Sequence, residues 1–342
     1  MRAVLLTCLL LGCQGDHAKA RAAGSGTDPR AVAAAGSGTD PWAIAAAGSG
    51  SDPWAGTANA EDPPSLAERH RLADEACPTV KAPFFFRVEK AGHVDYLLGT
   101  YHISVPFSKF PPYVHDTLDH ATRVVFELPP DAEHEPFNDD KVSIQDALGP
   151  VLWKHYRELV GASVAERNTR ASPMVAAIQL ALLYADPSAL LEDQMQDEIR
   201  PLGIPMDGLE TSDFQHDVLV KLFDIKLLRA IVASIKDRTE LRDDNVRSLR
   251  AYCDGTKGDE VFNERDRKAM HGVGYTDADI AGFENMILYD RNVSWIPKLE
   301  QLFGRDGVVV AVGAGHLRGP KGVPALLEAK GYAVSRVTQP PK

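Results

Sequence analysis

Two apolar runs, separated by roughly two hundred residues, each end in glycine and deliver a histidine three residues later. They are Tyr96-Leu97-Leu98-Gly99-Thr100-Tyr101-His102 and Val308-Val309-Val310-Ala311-Val312-Gly313-Ala314-Gly315-His316. In each, aliphatic and β-branched residues read as a short buried strand, and the glycine lets the backbone turn tightly. Both runs therefore set an imidazole just past a strand's C-terminal end. In open α/β sheets that rim is where ligands bind, so the two Gly-x-x-His elements are candidates for one shared site. The competing reading is local, with each histidine capping its strand or bonding a nearby carbonyl. One such motif alone says little; the repetition gives it weight.

At 342 residues and 44% hydrophobic content, the chain is long enough to bury a substantial core. Its formal net charge of -11, without a long Lys/Arg run, disfavours a phosphate-binding surface, and no nucleic-acid partner is expected. Past the first residues no stretch reaches the about 18 consecutive apolar positions of a membrane span.

Residues 1–13 have a short positive start and an apolar core too short to cross a bilayer, the pattern of an export signal. The end of that segment, Leu10-Leu11-Gly12-Cys13, resembles the bacterial lipobox, whose cysteine becomes a lipidated first residue. The expectation is an exported chain anchored through Cys13 to the bacterial cell envelope, on its periplasmic or outer-membrane face. Gln14 stands where an aspartate often signals inner-membrane retention. Residues 14–64 repeat Gly-Ser-Gly-Thr/Ser-Asp-Pro from Gly24, Gly36 and Gly48 and lack a stacking apolar face, so they read as a flexible spacer. The folded domain is then 65–342.

Within it, residues 84–90 and 93–98 around Ala91-Gly92 form a predicted hairpin that feeds the first motif. A helix near 113–121 leads to a strand over 123–128, where Glu127 interrupts the apolar run. A carboxylate there is costly to bury unless paired, so Glu127 either ends the strand in water or an ion pair, or faces the same rim as His102. Helical periodicity dominates 144–286. Helices are expected over 172–184, 188–200 and 213–235, the last capped by Thr211 or Ser212. Glu210 ends a short strand just before that cap, where an acid also suits a helix N-terminus.

A further helix covers 290–303, with Arg291 and Asn292 in its first turn; Arg291 is a natural carboxylate clamp or a surface ion-pair partner. The chain closes with the second motif's strand, a helix at 323–329 and a strand at 332–337. The class is α/β: a mixed central β-sheet flanked by helices, with a largely helical middle insertion, in one compact domain. No Gly-Lys-Ser/Thr or Gly-x-Gly-x-x-Gly spacing supports nucleotide binding. Cys77 and Cys253 are the two cysteines outside the signal; in an exported chain they suggest one disulfide, and they are too few for a structural zinc site.

Tyr-Leu-Leu-Gly-Thr-Tyr-His at 96–102, Val-Val-Phe-Glu-Leu at 124–128, Gly-Leu-Glu-Thr at 208–211 with Gln215, Tyr252 to Gly255, Asp-Arg-Asn at 290–292 and Val-Gly-Ala-Gly-His-Leu at 312–317 occur in one order across the folded region. In that order they resemble the TraB/GumN family, related to Tiki-type metalloproteases and more distantly to erythromycin esterase-like hydrolases. The family's usual Glu-Arg-Asn begins here with Asp290, which keeps the charge. The resemblance implies an active centre of His102, His316 and Glu127.

Two neutral imidazoles and a carboxylate suit Zn, Mn or Co with a position left open for water. Glu127 is then ligand or general base, Arg291 and Asn292 orient substrate or stabilise an oxyanion, and Glu210 is the alternative base. The expected activity is metal-dependent hydrolysis, of a peptide before other small molecules. The alternatives are a haem- or peptide-binding protein without turnover, and a metal-independent, esterase-like hydrolase.

Overall fold

The computed structural model describes residues 63–130, 143–256 and 262–339. The expected signal, Cys13 and all of the spacer before residue 63 lie outside the described residues. Ser65 marks the start of the folded chain, since its hydroxyl accepts from the Glu68 amide at 3.2 Å and caps the first helix.

Six strands make the sheet: β1 (Phe84–Lys90), β2 (His93–Thr100), β3 (Arg123–Phe126), β4 (Met206–Gly208), β5 (Val308–Gly313) and β6 (Ala333–Arg336). β1 and β2 form the expected hairpin, and both turn residues have positive φ, 54° at Ala91 and 89° at Gly92, as a tight primed turn requires. The strand order is β4-β3-β5-β2-β1-β6. β5 pairs parallel with both β2 and β3, and β3 pairs parallel with β4. β1 runs against β2 and β6.

Because β2, β3, β4 and β5 point the same way, their C-terminal ends share one rim. β5 is the central strand and is buried along its whole length, which is why its sequence is an unbroken apolar run rather than an alternating one. Its alternate side chains feed two cores. Val309 and Ala311 pack with Leu98, Phe126, Leu191 and Met195 on one face. Val308, Val310 and Val312 pack with Leu97, Trp295, Leu299 and Leu327 on the other.

The helices are α1 (Leu66–Ala76), α2 (Pro112–Asp119), α3 (Ile144–Val160), α4 (Ala162–Arg167), α5 (Pro173–Ala181), α6 (Leu191–Ile199), α7 (Ser212–Leu222), α8 (Ile225–Ser234), α9 (Arg238–Cys253), α10 (Glu264–Gly272), α11 (Asp277–Glu284), α12 (Asp290–Leu302) and α13 (Val323–Glu328). Helices of the middle segment share a third apolar core that includes Ile144, Ile178, Leu228 and Met270. Among the described residues no helix is long and apolar enough to cross a membrane.

Several expected boundaries differ; the helix expected over 172–184, for one, ends at Ala181. The helix expected over 213–235 is two helices, because the Asp224 carboxylate accepts from the Leu227 amide at 2.7 Å and caps a new start. The helix expected from 188 begins at Leu191, since Pro187 and Ser188 lie in a turn and Leu190 is extended and bridged antiparallel to Ile103. The strand expected over 123–128 ends at Phe126, which leaves Glu127 on the rim. The sequence also gave no sign that a π-helical turn, Asn285–Tyr289, joins α11 to α12 immediately before Arg291. The expected disulfide is present: Cys77 and Cys253, Cα atoms 5.7 Å apart, tie the end of α1 to the end of α9.

Candidate functional site

The four parallel strands each pass one polar side chain to the shared rim: Glu210 beyond β4, Glu127 beyond β3, His316 beyond β5 and His102 beyond β2. The two motif ends touch. A Cβ on Gly99 would stand 2.7 Å from Phe84 Cβ and 3.1 Å from the Ala314 Cα, so only glycine admits this approach. Tyr252, from the motif at 252–255, holds the same turn by donating its hydroxyl to the Gly99 carbonyl at 2.8 Å.

Both histidines are buried, and in each Nδ1 meets an oxygen. For His316 the partner is Asn292 Oδ1 at 2.6 Å. The Asn292 amide nitrogen donates to the Lys321 carbonyl at 2.9 Å and more weakly to the His316 carbonyl at 3.4 Å. Those bonds fix the amide's orientation, so Oδ1 must accept, Nδ1 must carry the proton, and Nε2 of the neutral ring keeps its lone pair. Arg291 Nη1 lies 3.3 Å from that Nε2 and donates to it. For His102, Nδ1 meets Glu192 Oε1 in a short contact, with Thr100 Oγ1 at 3.4 Å.

Glu127 and Glu210 converge on one guanidinium. Arg291 donates through Nη2 to Glu127 Oε2, and through Nη2 and Nε to Glu210 at 2.6 and 3.1 Å. The other Glu127 oxygen accepts from the Gly313 amide at 2.7 Å and lies 3.7 Å from His316 Nε2. Glu210 is further held by Gln215 Nε2 at 3.0 Å and by the Trp295 indole N–H at 3.1 Å. Trp295 also packs beneath the centre, its ring 4.5 Å from that of His316 and 5.0 Å from the Arg291 guanidinium carbon.

Burial sets the charge states first. It drives the His316 imidazolium well below its usual range, and the neighbouring Arg291, His102 and Arg318 push the same way, so His316 is neutral at neutral pH. Burial likewise pushes the Glu127 carboxyl up, helped by Glu210, against the pull of Arg291, His102 and the Gly313 amide. Burial would raise Glu192 too, but His102 and the Thr100 hydrogen bond outweigh it and hold that carboxyl low.

Thus the expected residues all stand at one rim, with Glu127, Glu210, Arg291, Asn292 and His316 in direct contact and His102 bonded to Glu192 beside them. Among the described residues no three His, Cys, Asp or Glu side chains stand in ready metal-ligand geometry. The donor chemistry nevertheless fits a divalent ion. His316 Nε2, which accepts from Arg291, lies 3.7 Å from Glu127 Oε1, close to the about 3.3 Å that separates two ligands of a tetrahedral zinc. Each imidazole also has an oxygen partner on Nδ1, the usual second contact of a metal-bound histidine.

Sequence reasoning missed Glu192 and Trp295. Glu192 lies with Met195, Gln196 and Ile199 on the buried stripe of α6, at intervals of three, four and seven residues. An acid on such a stripe was a readable sign of a buried partner.

A family model described as the TraB/PrgY/gumN family matches residues 84–336, nearly all of the described fold. No curated protein and no solved structure matches the chain.

Proposed function

The chain belongs to the TraB/PrgY/gumN family, and from that premise we propose that its rim is the centre of a divalent-metal-dependent hydrolase whose substrate is a peptide. The observation that carries this reading is the convergence of His102, Glu127 and His316 beyond three adjacent parallel strands, with both Nδ1 atoms already engaged. His102, His316 and Glu127 would hold the ion, with Zn, Mn and Co as the metals that suit this set. Such an ion supplies a water made acidic enough to attack at neutral pH and polarises the carbonyl it attacks.

The chain's own residues do the rest. Asn292 keeps the His316 ring turned so that Nε2 faces Glu127. Glu127, with its pKa raised by burial, is suited either to ligate or to take a proton from the attacking water, while Glu210, locked by Arg291, Gln215 and Trp295, is less free to do so. Arg291 is held by two carboxylates and the Ile287 carbonyl, which favours a fixed positive charge for a developing oxyanion over a mobile substrate clamp. The Cys77–Cys253 disulfide suits an oxidising compartment and supports the reading of an exported, Cys13-anchored protein of the cell envelope.

The test is metal analysis of the purified protein beside His102→Ala and His316→Ala variants that remain folded by circular dichroism. Near-stoichiometric Zn, Mn or Co, lost in both variants, is expected, followed by chelator-sensitive cleavage in a peptide library. No metal after reconstitution with any of the three would overturn the reading and leave metal-free hydrolysis or haem binding to be tested instead.

A further inference from the structure

Within the helical middle of the chain, the segment 189–192 grips His102 by backbone and side chain together. The Leu191 amide donates to the His102 carbonyl at 2.9 Å, and the Ser104 amide donates to the Ala189 carbonyl at 3.0 Å. Leu190 bridges Ile103 between them. The next residue, Glu192, turns its carboxylate onto His102 Nδ1, where both side chains are buried, 2% exposed for His102 and 8% for Glu192. Ser104, two residues past His102, holds a left-handed φ of 73°, and its hydroxyl accepts from the Asp186 amide at 2.7 Å. A serine in that conformation persists where its surroundings dictate it, so the same inter-element contacts fix the backbone on both sides of Ile103.

We propose that Glu192 is a positioning residue: it sets the tautomer and ring orientation of His102, so that Nε2 faces Glu127 and His316. An ionised carboxylate can only accept, so Nδ1 must donate, and in the neutral ring Nε2 then carries the lone pair. Asn292 does the same for His316 from α12. The two rings of the centre are therefore aimed from two different helices, α6 and α12. What holds His102 is the place of the acceptor oxygen, so an amide of the same length serves and a shorter acid does not. The metal arm of the test rests on the proposed function; the tautomer arm does not.

The experiment uses the full chain, histidine-labelled with nitrogen-15, as wild type and as Glu192→Ala, Glu192→Gln and Glu192→Asp. Long-range proton–nitrogen correlations of the metal-free protein read the His102 tautomer, the signal being identified by its loss in His102→Ala. Competition with a chromophoric chelator reads the Zn²⁺ affinity. At a pH where the ring is neutral, wild type and Glu192→Gln are expected to show His102 protonated on Nδ1 alone, with Zn²⁺ affinities within a few-fold of each other. Glu192→Ala and Glu192→Asp are expected to show mixed tautomers and affinity lower by about 10–100-fold. The two conservative variants decide the matter even where the alanine variant does not fold. Wild-type behaviour in Glu192→Asp with loss in Glu192→Gln would overturn the proposal, because charge rather than position would then be what matters. An unchanged tautomer in all three would overturn it too. A wild type that binds no Zn²⁺ while the tautomers shift as expected would sink the metalloenzyme reading and leave the positioning role standing.

Discussion

Arg291 is the residue on which the rim's electrostatics turn. Its side chain is 1% exposed and stands between Glu127, fully buried, and Glu210. Arg291→Met removes the guanidinium bonded to Glu127, and breaking such a buried pair from one side costs about 3–5 kcal/mol. The expected result is a lower urea midpoint with an unchanged slope. Arg291→Lys should recover only part of the loss, because one ammonium cannot reproduce the forked contacts to two carboxylates and the Ile287 carbonyl.

Gly99→Ala acts differently. With its Cβ 2.7 Å from that of Phe84 and close to the Ala314 backbone, it overpacks the contact between the motif ends, for a cost of about 1–3 kcal/mol read in the same titration. Retained stability in that variant would mean that Phe84 and the Ala314 backbone yield at this contact. At this scale His102, Glu127 and His316 were legible because each sits against a strand pattern that points its side chain to the rim. Glu192 was less so: an acid in a first helical turn has a sufficient local reason to be there, and only its spacing to Met195 and Ile199 on the stripe of α6 marks it as buried.

At the scale of elements, α1 is held to the body by a covalent and an ionic tie, and each can be tested. The disulfide joins residues 176 apart in sequence, so it removes much freedom from the unfolded chain. Reduction is expected to cost about 2–5 kcal/mol, seen as a lower thermal midpoint in dithiothreitol that is absent in a Cys77→Ala/Cys253→Ala double variant. The ionic tie is His70 on α1 with Asp186 at 2.7 Å. The Asp186 hydrogen bond and charge raise the His70 pKa above its usual 6.5, with Asp74 adding to the shift. The folded state therefore holds that proton more tightly than the unfolded chain does. Its stabilisation is complete below pH 6.5 and is lost as pH rises through the folded pKa. The midpoint difference between wild type and His70→Gln should then be larger at about pH 5.5 than at about pH 8.5; a difference independent of pH would assign the effect to packing.

The hairpin and the central strands were legible from period and turn residues. The break between α7 and α8 was passed over because Leu222-Phe223 and Ile225 continue the apolar pattern across it, and one capping aspartate outweighed that continuity. The π turn before Arg291 had no compositional sign at all.

For the whole molecule, the consequence lies in where the rim's groups come from. Glu210, Glu127, His316 and His102 lie beyond four strands of one sheet, whereas Glu192 and Arg291 come from two helices far apart in sequence, α6 within the helical middle and α12 just after it. The helical segment has its own apolar core, so packing alone does not oblige it to melt with the sheet. An ion held by His102, His316 and Glu127 would be bound only while all of these elements are in place, and its binding free energy would add to the stability of the assembled state. At one hundred times its dissociation constant that addition is about 2.7 kcal/mol. Adding Zn²⁺, Mn²⁺ or Co²⁺ to chelator-treated protein should therefore raise the thermal midpoint by several degrees and bring far-ultraviolet and tryptophan-fluorescence transitions into coincidence, Trp295 reporting from beneath His316. His316→Ala should remove the shift while leaving the apo midpoint of the helical segment in place. A midpoint that none of the three ions moves in wild type would mean that the rim is held together by Arg291 and its carboxylates alone.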